Sequence, residues 1–103
     1  MKRKKKPSKA SIRRKAFSAW SIAVRERDGA CVLCGRTDHL QAHHVISRRY
    51  APTAFSMNNG VSVCPKCHKF SPKSSFHSNP LSTMEWFRVN RPEQYAKLTE
   101  ESK

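Results

Sequence analysis

The feature that most restricts this chain is a pair of cysteine repeats, CVLC at residues 31–34 and CPKC at residues 64–67, with 29 residues between them. Each repeat offers two sulfurs from one tight knuckle, and two knuckles supply the four corners of a tetrahedron around one cation. Cys31, Cys34, Cys64 and Cys67 are therefore assigned to a structural zinc ion. The alternative is two disulfides in a small secreted protein. It is disfavoured by the charged start MKRKKKP, which no apolar signal segment follows. A chain of 103 residues has a modest core, so a metal staple is physically useful. The clamp also has a topological consequence: it brings together the two ends of the intervening segment.

That segment carries LQAHHVISRR, residues 40–49. Leu40 to Ile46 reads as a strand, broken by SRRYAP, yet it holds two adjacent histidines. Side chains alternate between faces along a regular strand, so His43 and His44 share one site only where the pleat is irregular or at the strand's end. Asn58-Asn59-Gly60 closes the following loop, VSV forms a second short strand, and Pro65 suits the first turn of a helix. His68 follows the fourth cysteine on that helix. The clamp brings the histidine strand close to the helix and directs His68 toward it.

The flanks read as helices. From Ser11, apolar residues Ile12, Ala16, Trp20 and Val24 recur every four positions, with Phe17 and Ala23 beside them. A helix over 11–27 is expected, stopped by Asp28-Gly29 and laid with its apolar face on the cysteine module. Residues 1–10 are expected to be a disordered basic tail. Ser82-Thr83-Met84-Glu85 matches a capping box, which predicts C-terminal helices over 82–99. Trp20, Trp86 and Phe87 fall at helical spacing and read as core. The chain is expected to be one small α+β domain over residues 11–103, with its metal-bound core at 28–80.

Twenty-one Lys and Arg against seven Asp and Glu give a formal net charge of +14. Such an excess calls for a polyanion, most simply DNA. Residues 1–27 hold eleven of the basic side chains and a single acidic one, Glu26, so this end, with Lys4, Lys5, Arg13 and Arg14, is expected to contact phosphates. A nuclear localisation signal in MKRKKKP is the alternative reading of the lysine run. No apolar run is long enough to span a bilayer, which makes a membrane partner the weaker option and a cytoplasmic location in a bacterial host cell the expectation.

Taken together, CVLCG, LQAHHVISRR, NNGVSVCPKCH and the four-cysteine frame resemble the HNH nucleases of the ββα-metal, or His-Me finger, type. The resemblance covers roughly residues 28–80; FHSNP and EWFRVNRPEQY are also similar to small phage-type HNH proteins. It implies a ββα-metal finger with zinc knuckles and metal-dependent hydrolysis of DNA phosphodiesters, by nicking or double-strand cleavage, leaving 5′-phosphate and 3′-hydroxyl ends. His44 would be the general base that activates water. His43 and His68 would hold one catalytic divalent ion, with His77 as a candidate third ligand. Asn59 would orient the base by holding its loop, and the ion would steady the departing 3′ oxygen.

The residues support these roles on chemical grounds. Phosphodiester hydrolysis needs a proton acceptor near neutral pH and a cation against the developing charge, and imidazoles serve both ends. Imidazole ligands favour nickel, manganese or zinc, with magnesium possible where waters fill its shell. Arg48 and Arg49 stand where a phosphate backbone would pass. The competing function is a zinc-stapled nucleic-acid-binding module without catalysis; charge and cysteines suit both, and His43, His44, Asn59 and His68 separate them. Further phage or bacterial protein partners stay open.

Overall fold

The computed structural model describes residues 6–70 and 80–103. The segment around His77, the tail lysines Lys4 and Lys5, and the loop expected after Phe70 lie outside the described residues.

Helix α1 runs from Lys9 to Asp28. It begins two residues before the expected start because Ser8 caps it, its hydroxyl accepting from the Ser11 N–H at 3.0 Å. It ends where the sequence places the stop: Gly29 takes a left-handed conformation (φ 70°), and its N–H donates to the Arg25 carbonyl at 2.8 Å. The expected apolar face is only half used. Trp20 and Val24 are buried, whereas Ile12 is 56% exposed, so the N-terminal half of α1 carries its apolar side chains past the body of the domain.

Two short strands, β1 (Gln41–His44) and β2 (Gly60–Val63), form an antiparallel pair in which His43 faces Val61 and His44 faces Gly60. β1 is shorter than Leu40–Ile46, and His44 is its last residue. β2 is wholly buried. Helix α1 crosses it at Gly60, where a methyl group would lie 2.6 Å from Val24 Cγ2 and 2.7 Å from Trp20 Cζ2. Glycine is required there for close approach, not for turn geometry. A helical turn, Lys66–Phe70, follows β2 and completes a β-β-α order.

Helices α2 (Pro80–Asn90) and α3 (Pro92–Glu101) close the domain. α2 starts ahead of the expected capping box, which leaves Ser82 inside the helix. Glu85 pairs with Arg88 at 2.6 Å instead of reaching back to the helix start. Phe87 and Leu98 join Cys31, Val61, Val63 and Cys64 in the core. The result is a small α+β fold whose core merges with the cysteine cluster. No described helix is long and apolar enough to cross a membrane.

One buried carboxylate joins these layers. Asp28, its side chain 2% exposed, accepts from the Ser62 N–H at 2.8 Å and pairs with Arg27 at 2.9 Å and Arg91 at 3.2 Å. Burial alone would raise its pKa, but the Arg27 and Ser62 hydrogen bonds and the two guanidinium charges hold it below the usual carboxylate value. Arg27 also donates to the Met57 and Gly60 carbonyls, at 2.6 Å each. Expected to face phosphates with the rest of the N-terminal cations, Arg27 is instead a structural cation.

Candidate functional site

The four sulfurs lie within 4.8 Å of one another. All four cysteines are free, and Cys34 and Cys64 stand 3.6 Å apart, far beyond a disulfide bond. A tetrahedron with metal–sulfur bonds of about 2.3 Å has edges of about 3.8 Å. The cluster is thus positioned to bind one metal ion. Both knuckles use the same turn: the Gly35 N–H donates to the Cys31 carbonyl and the His68 N–H to the Cys64 carbonyl, each at 2.9 Å. Gly35 has φ 81°, which explains the glycine after the first pair.

The electrostatics of this cluster fit a cation. Burial raises the Cys31 thiol, but the N–H groups of Cys64, Cys34 and Leu33 outweigh it and bring the pKa down to about 7. Cys67 is pushed far up, first by burial and then by the Cys64 and Cys31 sulfurs. Crowded thiols cannot all ionise without a positive charge among them, which is what a metal supplies.

The second knuckle also sets the histidine pair. Its turn projects His68 toward β1, where the His43 and His68 rings meet edge to face with centroids 5.0 Å apart. His68 Nδ1 lies 2.8 Å from Gln41 Oε1. An amide oxygen only accepts, so Nδ1 carries the hydrogen of that bond. The two rings are in contact. Among the described residues no third His, Cys, Asp or Glu completes a group with them; His77, the candidate third ligand, lies outside those residues.

His44 turns to different neighbours. Its ring stacks on Trp20 at 3.8 Å with an 11° interplanar angle and meets the edge of Phe17 at 5.5 Å. Nε2 lies 2.9 Å from the Ala54 carbonyl. A carbonyl accepts only, so Nε2 bears the proton and Nδ1 is left as the basic nitrogen. Burial lowers the His44 pKa; the Ala54 carbonyl opposes this and Arg48 adds to it. The ring is therefore neutral at physiological pH.

The loop that supplies Ala54 is held by Asn59, which is fully buried. Its side-chain oxygen accepts from the Ile46 N–H at 2.6 Å, and its amide donates to the Ile46 and Thr53 carbonyls, each at 3.0 Å. The Val45 N–H adds a bond to the Asn59 carbonyl at 3.1 Å. One side chain thus closes both ends of the segment from His44 to Ala54.

Residues 31–70 match the family model for HNH endonucleases. Over this segment the chain is similar to the HNH family. The match starts at Cys31 and ends two residues past His68, so it takes in both knuckles and Gln41, His43, His44, Ala54, Asn59 and His68, whereas Phe17 and Trp20 precede it. No curated protein and no solved structure gives a match to the chain.

Around the HNH segment the cationic candidates are spread unevenly. Arg13, Arg14, Arg48 and Arg49 are exposed and gather at one concavity between α1 and the loop after β1. Arg13 donates to the Arg48 carbonyl at 3.3 Å, tying helix to loop. Sequence reasoning missed three contributors to the site. Trp20 reads as core but also forms the wall against which His44 stacks. Gln41 sits two residues before His43 on the same face of the strand, a period-two signal that was there to be read. The Ala54 carbonyl carries no side-chain signal.

Proposed function

We propose that the protein is a metal-dependent DNA endonuclease that hydrolyses phosphodiester bonds with one divalent ion and a histidine base. The observation that carries this reading is His44: its Nε2 is committed to a backbone carbonyl and its Nδ1 is left basic, one residue after His43, whose ring meets that of His68. A module that only binds DNA needs neither arrangement.

In this mechanism His44 Nδ1 takes a proton from the attacking water, and the Ala54 carbonyl steadies the imidazolium that forms. Trp20 keeps the ring in plane, and Asn59 keeps the Ala54 carbonyl in place. His43 and His68 hold the divalent ion, with His77 as the candidate further ligand. Gln41 fixes the His68 tautomer. When bound, the ion supplies positive charge against the negative charge that builds on the phosphate and the departing oxygen. Arg48, Arg49, Arg13 and Arg14, with Lys4 and Lys5 from the tail, contact backbone phosphates. Zinc is the ion for the four cysteines, because thiolate donors in a tetrahedral set favour it. For the histidine site magnesium, manganese, nickel and zinc are the candidates.

A plasmid-nicking assay tests the reading. Zinc-loaded protein is stripped of loosely held metal, then given each divalent ion in turn, beside His44→Ala. Nicking by the wild type with at least one ion, and its loss in the variant with DNA affinity retained, is the expected result. Undiminished cleavage by His44→Ala would move the base elsewhere. Tight binding without cleavage under every ion would leave the non-catalytic module.

A further inference from the structure

The apolar residues that α1 carries past the core meet the loop after β1 in an arrangement that the hydrolytic site does not use. Phe55 is 44% exposed and Ile12 is 56% exposed. Phe55 packs on Phe17 with centroids 4.4 Å apart and a tilt of 33°. The Arg13 guanidinium lies 5.0 Å over the Phe17 ring and 5.9 Å from that of Phe55, and the Arg48 guanidinium lies 5.7 Å over Phe17.

Two adjoining concavities share this surface. One, of about 370 Å³, is lined by Arg13, Arg14, Phe17, Arg48 and Arg49. The other, of about 320 Å³, is lined by Lys9, Ile12, Arg13, Ala16 and Phe55. Among the described residues, no carboxylate pairs with Lys9, Arg13, Arg14, Arg48 or Arg49. An exposed aromatic ring beside Lys9 and Arg13, with Arg14, Arg48 and Arg49 lining the adjoining concavity, suits a ligand that is flat and apolar in one part and anionic in the next. A nucleotide has that composition. An apolar protein partner would instead have to bury the cations uncompensated.

We infer that Phe55 and its arginine border form a platform for an unpaired base, so that the substrate class is DNA with an unpaired nucleotide close to the cleaved phosphate. This rests on the endonuclease reading only for the identity of the cleaved bond. A paired and stacked base hides both its faces; only an unpaired one can lie on a phenylalanine while neighbouring phosphates engage guanidinium groups. The platform also touches the hydrolytic site. Phe17 bridges Phe55 and His44, placing the platform no more than about 10 Å from the His44 ring, which is about three stacked nucleotides at 3.4 Å each. Phe55 follows the residue whose carbonyl holds His44 Nε2, so a base bound there also stiffens the loop that positions the histidine.

The test is a binding measurement that needs no cleavage. The full zinc-loaded chain, without added divalent ion, is titrated into a duplex that carries one bulged 2-aminopurine and into the same duplex fully paired. Anisotropy gives the affinity and 2-aminopurine emission reports stacking. The expected result is roughly tenfold tighter binding to the bulged duplex, with quenching on binding. Phe55→Ala should abolish that preference and the quenching while leaving affinity for the paired duplex unchanged, and Phe55→Trp should retain both. Equal affinity of the wild type for the two DNAs would overturn the proposal before any variant is made, as would a preference that survives Phe55→Ala. The outcomes separate from those of the nicking assay. A bulge preference without nicking under any ion refutes the endonuclease reading and keeps the platform, and nicking without the preference does the reverse.

Discussion

Replacing Asn59 with alanine removes three hydrogen bonds, one buried and two part-buried, and leaves the Ile46 N–H and the Ile46 and Thr53 carbonyls without their partner. Each such bond contributes about 1 kcal/mol, and each buried group left unpaired costs about 1–3 kcal/mol, so Asn59→Ala should lose about 3–5 kcal/mol of stability. In a domain this small that corresponds to a fall in Tm of about 15 °C or more. Urea unfolding in excess zinc, followed by the fluorescence of Trp20 and Trp86, measures the loss. Asn59→Asp sharpens the argument. Its carboxylate can still accept from the Ile46 N–H, but it would face two carbonyl oxygens that need a donor. Burial and those oxygens raise its folded pKa above the unfolded value of about 3.9. A group with a raised carboxyl pKa binds its proton more tightly in the folded state, so this variant should gain stability relative to the wild type as the pH falls through its folded pKa toward about 3.9, with a slope of up to about 1.4 kcal/mol per unit. The wild type has no such group at this position. A loss under about 1 kcal/mol in Asn59→Ala would refute the reasoning, because it would mean that the freed groups find new partners at no cost. A flat pH profile for Asn59→Asp would refute it as well.

Other perturbations test the remaining joints of the fold. Asp28→Ala should cost about 3 kcal/mol, since two guanidinium groups and the Ser62 N–H lose a buried partner. The lowered pKa of Asp28 keeps it ionised above about pH 4, so the gap in urea midpoint from wild type should hold steady between about pH 8 and pH 5; a gap that closes over this range would show that the carboxylate is not held down. Gly60→Ala drives a methyl group into Val24 and Trp20 and should cost about 1–3 kcal/mol, read as a lowered Tm; wild-type stability would mean that α1 can lift off the sheet freely. Cys67→Ser should abolish cooperative unfolding rather than merely activity, because a structural zinc contributes on the order of 10 kcal/mol. Normal melting with a full equivalent of zinc retained would reject the four-sulfur assignment.

The cysteine spacing, the order β-β-α and the stop at Gly29 were legible in the chain because each depends on local chemistry: a knuckle needs two sulfurs three residues apart, and a left-handed turn favours glycine. The adjacency of His43 to His68 was also within reach, since the clamp that joins residues 31–34 to 64–67 leaves few ways for the intervening hairpin to close. Other features had no local signature. The Ser82–Glu85 pattern suggested a helix start, but Pro80 is itself compatible with a first turn, and the structure begins α2 there. The eight-residue difference in fate between Ile12 and Trp20, identical in periodicity, arises because the sheet under α1 is only as wide as two short strands. Hydrophobic spacing states which face of a helix is apolar, and the extent of the opposing surface decides how much of that face is covered.

The same division applies to the site. Residue identity alone determined that an ion-binding frame, imidazoles and an excess of cations would occur in one small domain. Tertiary structure decided what each does: it set His44 between Trp20 and a carbonyl, turned Asn59 into the clasp of a loop, tied Arg27 to Asp28 and two backbone carbonyls and left Phe55 uncovered. These outcomes depend on contacts between residues far apart in sequence, with backbone carbonyls and amides among the partners. Every residue carries those groups, so no pattern of side chains can announce which of them will be used.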